Sequence, residues 1–304
     1  MTLKAFTYEP KHVGWLNFSD ESLRLPGTNK VDDPAQADIF IMPASLQHFR
    51  GPNIELLKKL PYMANREERH VFFDCSDFDH VYNLKCMFIR CNLKKFMKDA
   101  DTNSISWPWP VDDFNDIAVP PIEGFKYDVS FHGWNSRWER TASIASVIEH
   151  SNLKSDTAVY TDFYGYVHRD NRPEANRRMA AYKNSLWQSR ISLCGCSIPG
   201  VFPYRFFEAM SASRIPLLIC SDYNLPWQNK IDWDKCTIKI ESTQAGSAAK
   251  IIRDYLDKVT DIELIERGKY GRDMFMEWLY REDWPSLMTR AVEERFTTMG
   301  LGSL

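Results

Sequence analysis

Residues 190–220 read RISLCGCSIPGVFPYRFFEAMSASRIPLLIC. RISLCG (190–195) is a short β-rich run, and IPLLIC (215–220) is an apolar run of strand length. Between them, GCSIPGVFP (195–203) supplies Gly, Ser and Pro for a loop. PYRFFEAMSASR (203–214) has helical character, with Pro203 suited to open it. Strand, loop, helix, strand is the unit of a parallel α/β sheet. In such sheets ligands sit at the carboxyl ends of strands, where helix N-termini offer N–H groups to a diphosphate or similar anion. Arg205 falls in the first turn of the expected helix, where its planar fork reaches the same anion. Glu208, three residues on, shares that face and suits two adjacent hydroxyls such as those of ribose. An exposed Arg205–Glu208 ion pair is the plainer alternative.

The same rhythm continues outward. On the C-terminal side follow the strand CTIKI (236–240), the helix SAAKIIRDYLDKV (247–259) and a helical region from Asp261 to Trp284. On the N-terminal side lie the strand KYDVSFHG (126–133), a helix from Trp138 to His150, the short strand TAVY (157–160) and a helix opened by Pro173. The first third repeats the pattern. LKAFTY (3–8), ADIFIMP (37–43), HVFFDCS (70–76) and CMFIRC (86–91) read as strands, with a helix over NIELLKKL (53–60) that Pro61 ends. Between Asp99 and Gly124 four Pro and many acidic residues oppose regular structure. The expected organisation is therefore an N-terminal α/β domain over 1–110, a linker over 111–125, a second α/β domain over 126–285, and a tail over 286–304 that packs back on the first.

Composition fits two domains: the chain has 304 residues, 44% of them hydrophobic. Ten Trp sit among 13% aromatic residues, and most of these are expected in cores. The net charge of −3 and pI near 6.2 give no basic field, which argues against a nucleic-acid partner. The opening MTLKAFTYEP lacks a signal-like apolar stretch, and no run reaches the ~18 apolar residues of a transmembrane segment. A cytoplasmic location is expected. The odd count of seven Cys, with C-x-C at Cys194 and Cys196 and no companion pair, reads as buried reduced thiols, neither a disulfide framework nor a zinc site.

An ordered set of motifs now matters: Arg205-Phe206-Phe207-Glu208-Ala209, Ile215-Pro216-Leu217, Asp222-Tyr223-Asn224-Leu225-Pro226-Trp227 and Ile231-Asp232-Trp233. In this order it resembles the C-terminal half of the exostosin family of glycosyltransferases. The likeness extends more weakly to YDVSFHGWNSRWER (127–140) and ADIFIMP. Two departures stand out. Ser213-Arg214 replaces a frequent Gly-Cys, and the loop before Arg205 carries no basic residue.

The resemblance implies a GT-B fold, two Rossmann-like domains facing a central cleft. It implies inverting, metal-independent transfer from a nucleotide sugar, a UDP-sugar first, to a hydroxyl of a glycan acceptor, lipid-linked acceptors included. No cofactor is implied. Arg205 would hold the diphosphate and Glu208 the ribose, with Arg137 or Arg140 after Gly133 as a second phosphate ligand. Tyr204, Asp222 and Tyr223 would line the donor pocket. Without an anchor, a bacterial or viral enzyme is the expected setting.

Inversion needs a base for the acceptor proton. FFDCSDFDHVY (72–82) offers Asp74, Asp77, Asp79 and His80 at a strand end, with Asp79 preferred, then Asp77. Capping roles are the alternative for all four. His132 and His48 are lesser candidates. LKCMFIRCNLKKFMK (84–98) mixes basic and apolar residues; it reads first as a buried strand with a solvated basic face, and second as a membrane-contacting stretch. Two other readings compete: a fucosyltransferase-like enzyme using a GDP-sugar, and a non-catalytic module that binds a sugar nucleotide or glycan.

Overall fold

The computed structural model describes residues 3–9, 25, 28–46, 54–74, 80–196 and 201–298. Two compact units emerge. The first comprises Met1–Pro108, Tyr223–Pro226 and Arg281–Leu304; the second comprises Trp109–Asp222 and Trp227–Tyr280.

The first unit is built on a six-stranded parallel sheet. Its strands are β1 (Lys4–Thr7), β2 (Asn29–Lys30), β3 (Ile39–Ser45), β4 (His70–Asp74), β5 (Met87–Arg90) and β6 (Ser104–Ser106). They lie in the order β2-β1-β3-β4-β5-β6. Helices α1 (Ile54–Lys58), α2 (Met63–Arg66) and α3 (Lys95–Ala100) are short. β4 and β5 are buried along their whole length, as expected for parallel strands covered on both faces. The core is largely aromatic, with Phe6, Tyr8, Phe40, Phe72, Tyr82 and Phe88 in one cluster. Met87–Arg90 therefore lies inside the sheet, whereas Phe96 of α3 is exposed.

The second unit carries a five-stranded parallel sheet. In chain order its elements are β7 (Tyr127–Trp134), α4 (Trp138–Glu149), β8 (Ser155–Tyr160), α5 (Tyr164–Asp170), α6 (Arg172–Trp187), β9 (Ser189–Gly195) and α7 (Tyr204–Ser211). Then come β10 (Ile215–Ile219), α8 (Trp233–Cys236), β11 (Ile238–Ile240), α9 (Ala248–Leu256) and α10 (Asp261–Met274). The strand order is β11-β10-β9-β7-β8. Numbered within the unit, that is 2-1-3-4-5 read from the β8 edge. Its first and third strands, β7 and β9, are neighbours from which connections run in opposite directions. This is a topological switch point, and a crevice opens beyond the carboxyl ends of those two strands. Val129, Phe131, Ile191, Leu193, Leu217 and Ile219 form the centre of the core.

Residues 99–124 depart from the linker expectation. The chain first completes α3 and adds β6 to the sheet, bonded to β5. From Trp109 it belongs to the second unit, where Phe114 packs with Tyr182, Leu186, Ala209 and Ala212. Arg214 holds the segment in place. Its buried guanidinium donates to the carbonyls of Ile117 (3.2 Å), Val119 (3.3 Å) and Trp187 (3.0 Å), and to those of Ala212 and Ser213. Burial pulls its pKa down to about 10. Ser213 ends α7 with φ of 57°, the left-handed conformation that usually selects Gly, while Arg214 N–H returns to the Ala209 carbonyl at 2.8 Å. Ser213 and Arg214 thus each have a structural use here.

After α10 and a π-helical turn (Phe275–Leu279), α11 (Trp284–Thr298) rejoins the first unit. Trp284 stands edge-on to Trp107 at 6.1 Å, and Arg295 reaches Asn103. The described cysteines form no disulfides and are buried. Among the described residues no helix is long and apolar enough to cross a membrane.

Candidate active site

Arg205, Gly133 and Arg140 come together at the carboxyl ends of β7 and β9. Arg205, in the first turn of α7, lies against Gly133 at the end of β7. Its Nη2 donates to the His132 carbonyl at 2.9 Å, and its guanidinium carbon sits 4.5 Å from the Phe131 ring centroid. Its Nε is buried and has no hydrogen-bond partner among the described residues. A cation fixed by one carbonyl and one aromatic face keeps donor capacity for an anion.

Glu208 lies one turn further along α7. It does not pair directly with Arg205 through a hydrogen bond; its Oε2 instead accepts from Tyr182 of α6 at 2.9 Å. Burial raises the Glu208 pKa above the usual carboxylate range, against the opposing pull of Arg205 and the Tyr182 hydrogen bond, with Asp112 adding to the rise. Tyr182 carries no local sequence signal, because its relevance comes only from a contact 26 residues away.

Arg140 has a different occupation. It is buried, and donates to the Gly195 carbonyl (Nη2 2.8 Å, Nε 3.3 Å), the Trp134 carbonyl (Nη1 2.7 Å) and Ser136 Oγ (3.3 Å). It therefore ties the carboxyl end of β7 to that of β9. Burial, then the nearby Arg205 charge, depress its pKa to about 9. Arg137 caps the start of α4 and is exposed. Tyr204 is 48% exposed at the head of α7, its ring 5.1 Å from that of buried Trp109. Asp222 turns the chain after β10 with φ of 55°, a conformation Asp tolerates. Tyr223 falls in the first unit, in a segment whose Asn224 bonds the Leu93 carbonyl and Ser106.

His132 points its imidazole toward Asp156 of β8, with Nε2 3.5 Å from Oδ1. Burial lowers its pKa, opposed by Asp156 and reinforced by Arg205.

In the first unit, Asp74 joins a buried polar network. It is buried at the end of β4, accepts from Tyr82 Oη at 2.7 Å and lies 3.7 Å from Arg90 Nε. Arg90 also bonds Asp101 (3.2 Å) and the His80 carbonyl (2.9 Å). Asp77 and Asp79 lie outside the described residues, as does His48, three residues beyond the end of β3. Within this sheet the switch point falls between β1 and β3, and the Asp-rich run follows β4, the next strand along. Among the described residues no group of three or more His, Cys, Asp or Glu is arranged to hold a metal ion.

No family model matches the chain, and no curated protein matches it in sequence. Solved structures do. The chain is similar to Anabaena Alr3699/HepE in complex with UDP, with a TM-score of 0.53 and 8% identity over 97% of this chain and 100% of that one. It is also similar to the same protein in complex with UDP-glucose (TM-score 0.49, 8% identity, 98% and 99% covered). A glycosyltransferase from Rickettsia africae ESF-5 gives a TM-score of 0.47 at 10% identity, with 97% and 99% covered. The likeness is one of fold: two parallel-sheet α/β domains of the GT-B glycosyltransferase type.

Proposed function

We propose that the chain is a glycosyltransferase that binds a nucleotide-sugar donor, a UDP-sugar first, in the β7/β9 crevice and transfers the sugar to a hydroxyl of a glycan acceptor. The observation that carries this reading is the placement of Arg205. A half-buried guanidinium with unspent donors sits at the head of α7 beside a switch point, and the helix dipole there favours the same negative charge. Glu208, on the same helix, suits the ribose hydroxyls. In the reaction the acceptor oxygen attacks the anomeric carbon and the bond to the diphosphate breaks. Arg205 and the α7 N-terminus stabilise the charge that develops on the leaving phosphate. We read the transfer as inverting, with no required metal, and the chain as exostosin-like on the strength of the motifs from Arg205 to Trp233. The acceptor's proton passes to a base for which Asp79, Asp77 and His80 are the candidates to substitute first.

The test is calorimetric titration with UDP- and GDP-sugars, run on the wild type and on Arg205→Ala. Binding of a UDP-sugar that the variant loses supports the assignment. Binding confined to GDP-sugars transfers the reading to a fucosyltransferase-like enzyme. Binding without turnover on any acceptor leaves a sugar-nucleotide-binding module. If the wild type binds neither class, the donor assignment is wrong.

A further inference from the structure

A glutamate that is to receive two hydroxyls has three rotatable bonds to fix, and ordering them costs binding energy. Here that ordering is built in before any ligand arrives. Tyr182 is buried on α6, its ring edge-on to Phe114 (6.1 Å, 68°) within the cluster that includes Leu186, Ala209 and Ala212. Two of those neighbours, Ala209 and Ala212, follow Glu208 directly and one turn on, so ring and carboxylate are held by one packed group. The phenol donates to Oε2 at 2.9 Å. Burial first, then the Glu208 charge, hold the phenol well above its ordinary pKa, so it remains a donor.

We propose that Tyr182 is a positioning residue: by holding Oε2 it presents Oε1 of Glu208 to a vicinal diol, and so makes the site select ribonucleotides over 2′-deoxyribonucleotides. This rests on the donor-site reading above. Selection follows because an acceptor fixed and desolvated for a hydroxyl is left unpaired when that hydroxyl is missing. An acceptor loose enough to turn to water discriminates less. Nothing else need touch the 2′ position for the preference to arise.

The experiment titrates UDP and 2′-deoxy-UDP into the wild type, Tyr182→Phe, Glu208→Gln and Arg205→Ala. Tyr182→Phe keeps the ring and removes only the donor. The wild type should bind UDP about tenfold or more tightly than 2′-deoxy-UDP. Tyr182→Phe should lose most of that ratio through weaker UDP binding, with 2′-deoxy-UDP changed by about twofold at most. Glu208→Gln reads the same ratio from the other side of the hydrogen bond, and stands in should the Tyr variant not fold. If Tyr182→Phe weakens both nucleotides equally, the residue only supports the fold and the proposal falls. An unchanged ratio in both variants also overturns it. Failure of the donor reading looks different: UDP does not bind the wild type, or binds Arg205→Ala unchanged, and both proposals then fall together.

Discussion

The guanidinium of Arg205 occupies the space that a side chain at Gly133 would need. A Cβ built on Gly133 would meet Nη2 within contact distance, with Cζ at 3.1 Å and Nη1 at 3.4 Å. The absence of a side chain at the end of β7 is what lets the guanidinium reach the His132 carbonyl at 2.9 Å.

Gly133→Ala is therefore expected to act on binding more than on folding. The displaced atoms are the far end of a flexible side chain, so the guanidinium swings aside and the sheet survives. UDP-sugar affinity should fall by about tenfold or more, the scale of one charge-assisted contact. Thermal midpoint should move by only a few degrees, about 1 kcal/mol or less. Calorimetry and a melting scan on the same sample check both, and unchanged affinity would show that Arg205 does not hold the anion.

Arg140 and Arg137 should separate cleanly. Arg140→Ala leaves the buried carbonyl of Gly195 and the part-buried carbonyl of Trp134 without their donor. It should cost on the order of 3 kcal/mol in urea denaturation. Arg137 is exposed at the head of α4, so Arg137→Ala should stay within about 0.5 kcal/mol of the wild type. Any loss of UDP affinity in the Arg137 variant then reports a ligand contact directly. A stable Arg140→Ala protein would refute the clamp between β7 and β9.

The contrast between those two arginines shows what the sequence made legible. Apolar runs such as IPLLIC announced their strands, since a strand buried on both faces must be apolar throughout. The loop-helix at Arg205 was readable because Gly, Pro and the helix signals are local. β2 and β6 were not, because two or three residues beside Ser and Pro carry no periodicity. Arg140 looks identical to Arg137 until its carbonyl partners are known, and those lie at the ends of two strands, β7 and β9. Tyr182 and Arg214 escaped for the same reason: each acts through contacts that only the fold brings together. Composition alone made 111–125 look like a linker, whereas Phe114 and the Arg214 bonds to the Ile117 and Val119 carbonyls make this stretch part of a core.

His70 gives the first unit an acid-sensitive point. It is fully buried, stacked 4.8 Å from Phe40, with Nε2 3.0 Å from Tyr8 Oη and Nδ1 2.8 Å from the Arg66 carbonyl. Burial lowers its pKa from 6.5 to about 4, against smaller opposing effects of the Arg66 carbonyl, Glu68 and Glu67. The unfolded chain takes up the proton below pH 6.5 and the folded chain only near 4. The stabilising contribution is thus complete above pH 6.5 and is lost as pH falls through that window, by about 3 kcal/mol. Urea midpoints of wild type and His70→Phe, measured from pH 7 to 4, should converge as pH drops. Parallel curves would mean that His70 titrates normally.

Asp74 offers the sharpest separation between structural and catalytic carboxylates in the run 74–79. Its charge lies beside buried Arg90, which also carries Asp101 and stands over the Tyr82 ring at 4.4 Å. Asp74→Asn keeps an acceptor for Tyr82 but removes a counter-charge from an enclosed guanidinium. Arg90 keeps Asp101 as its partner, so the loss is that of one buried charge-assisted contact, about 1–3 kcal/mol. Asp101→Asn should destabilise on the same scale. In both variants turnover should decline only as far as the folded fraction declines. Substituting the acceptor's base has the opposite signature: an unchanged urea midpoint, unchanged UDP affinity and lost transfer. Asp79→Asn and Asp77→Asn, compared with Asp74→Asn in both assays, therefore assign each carboxylate to one role. An Asp74→Asn protein that is stable yet inactive would move the base to the end of β4.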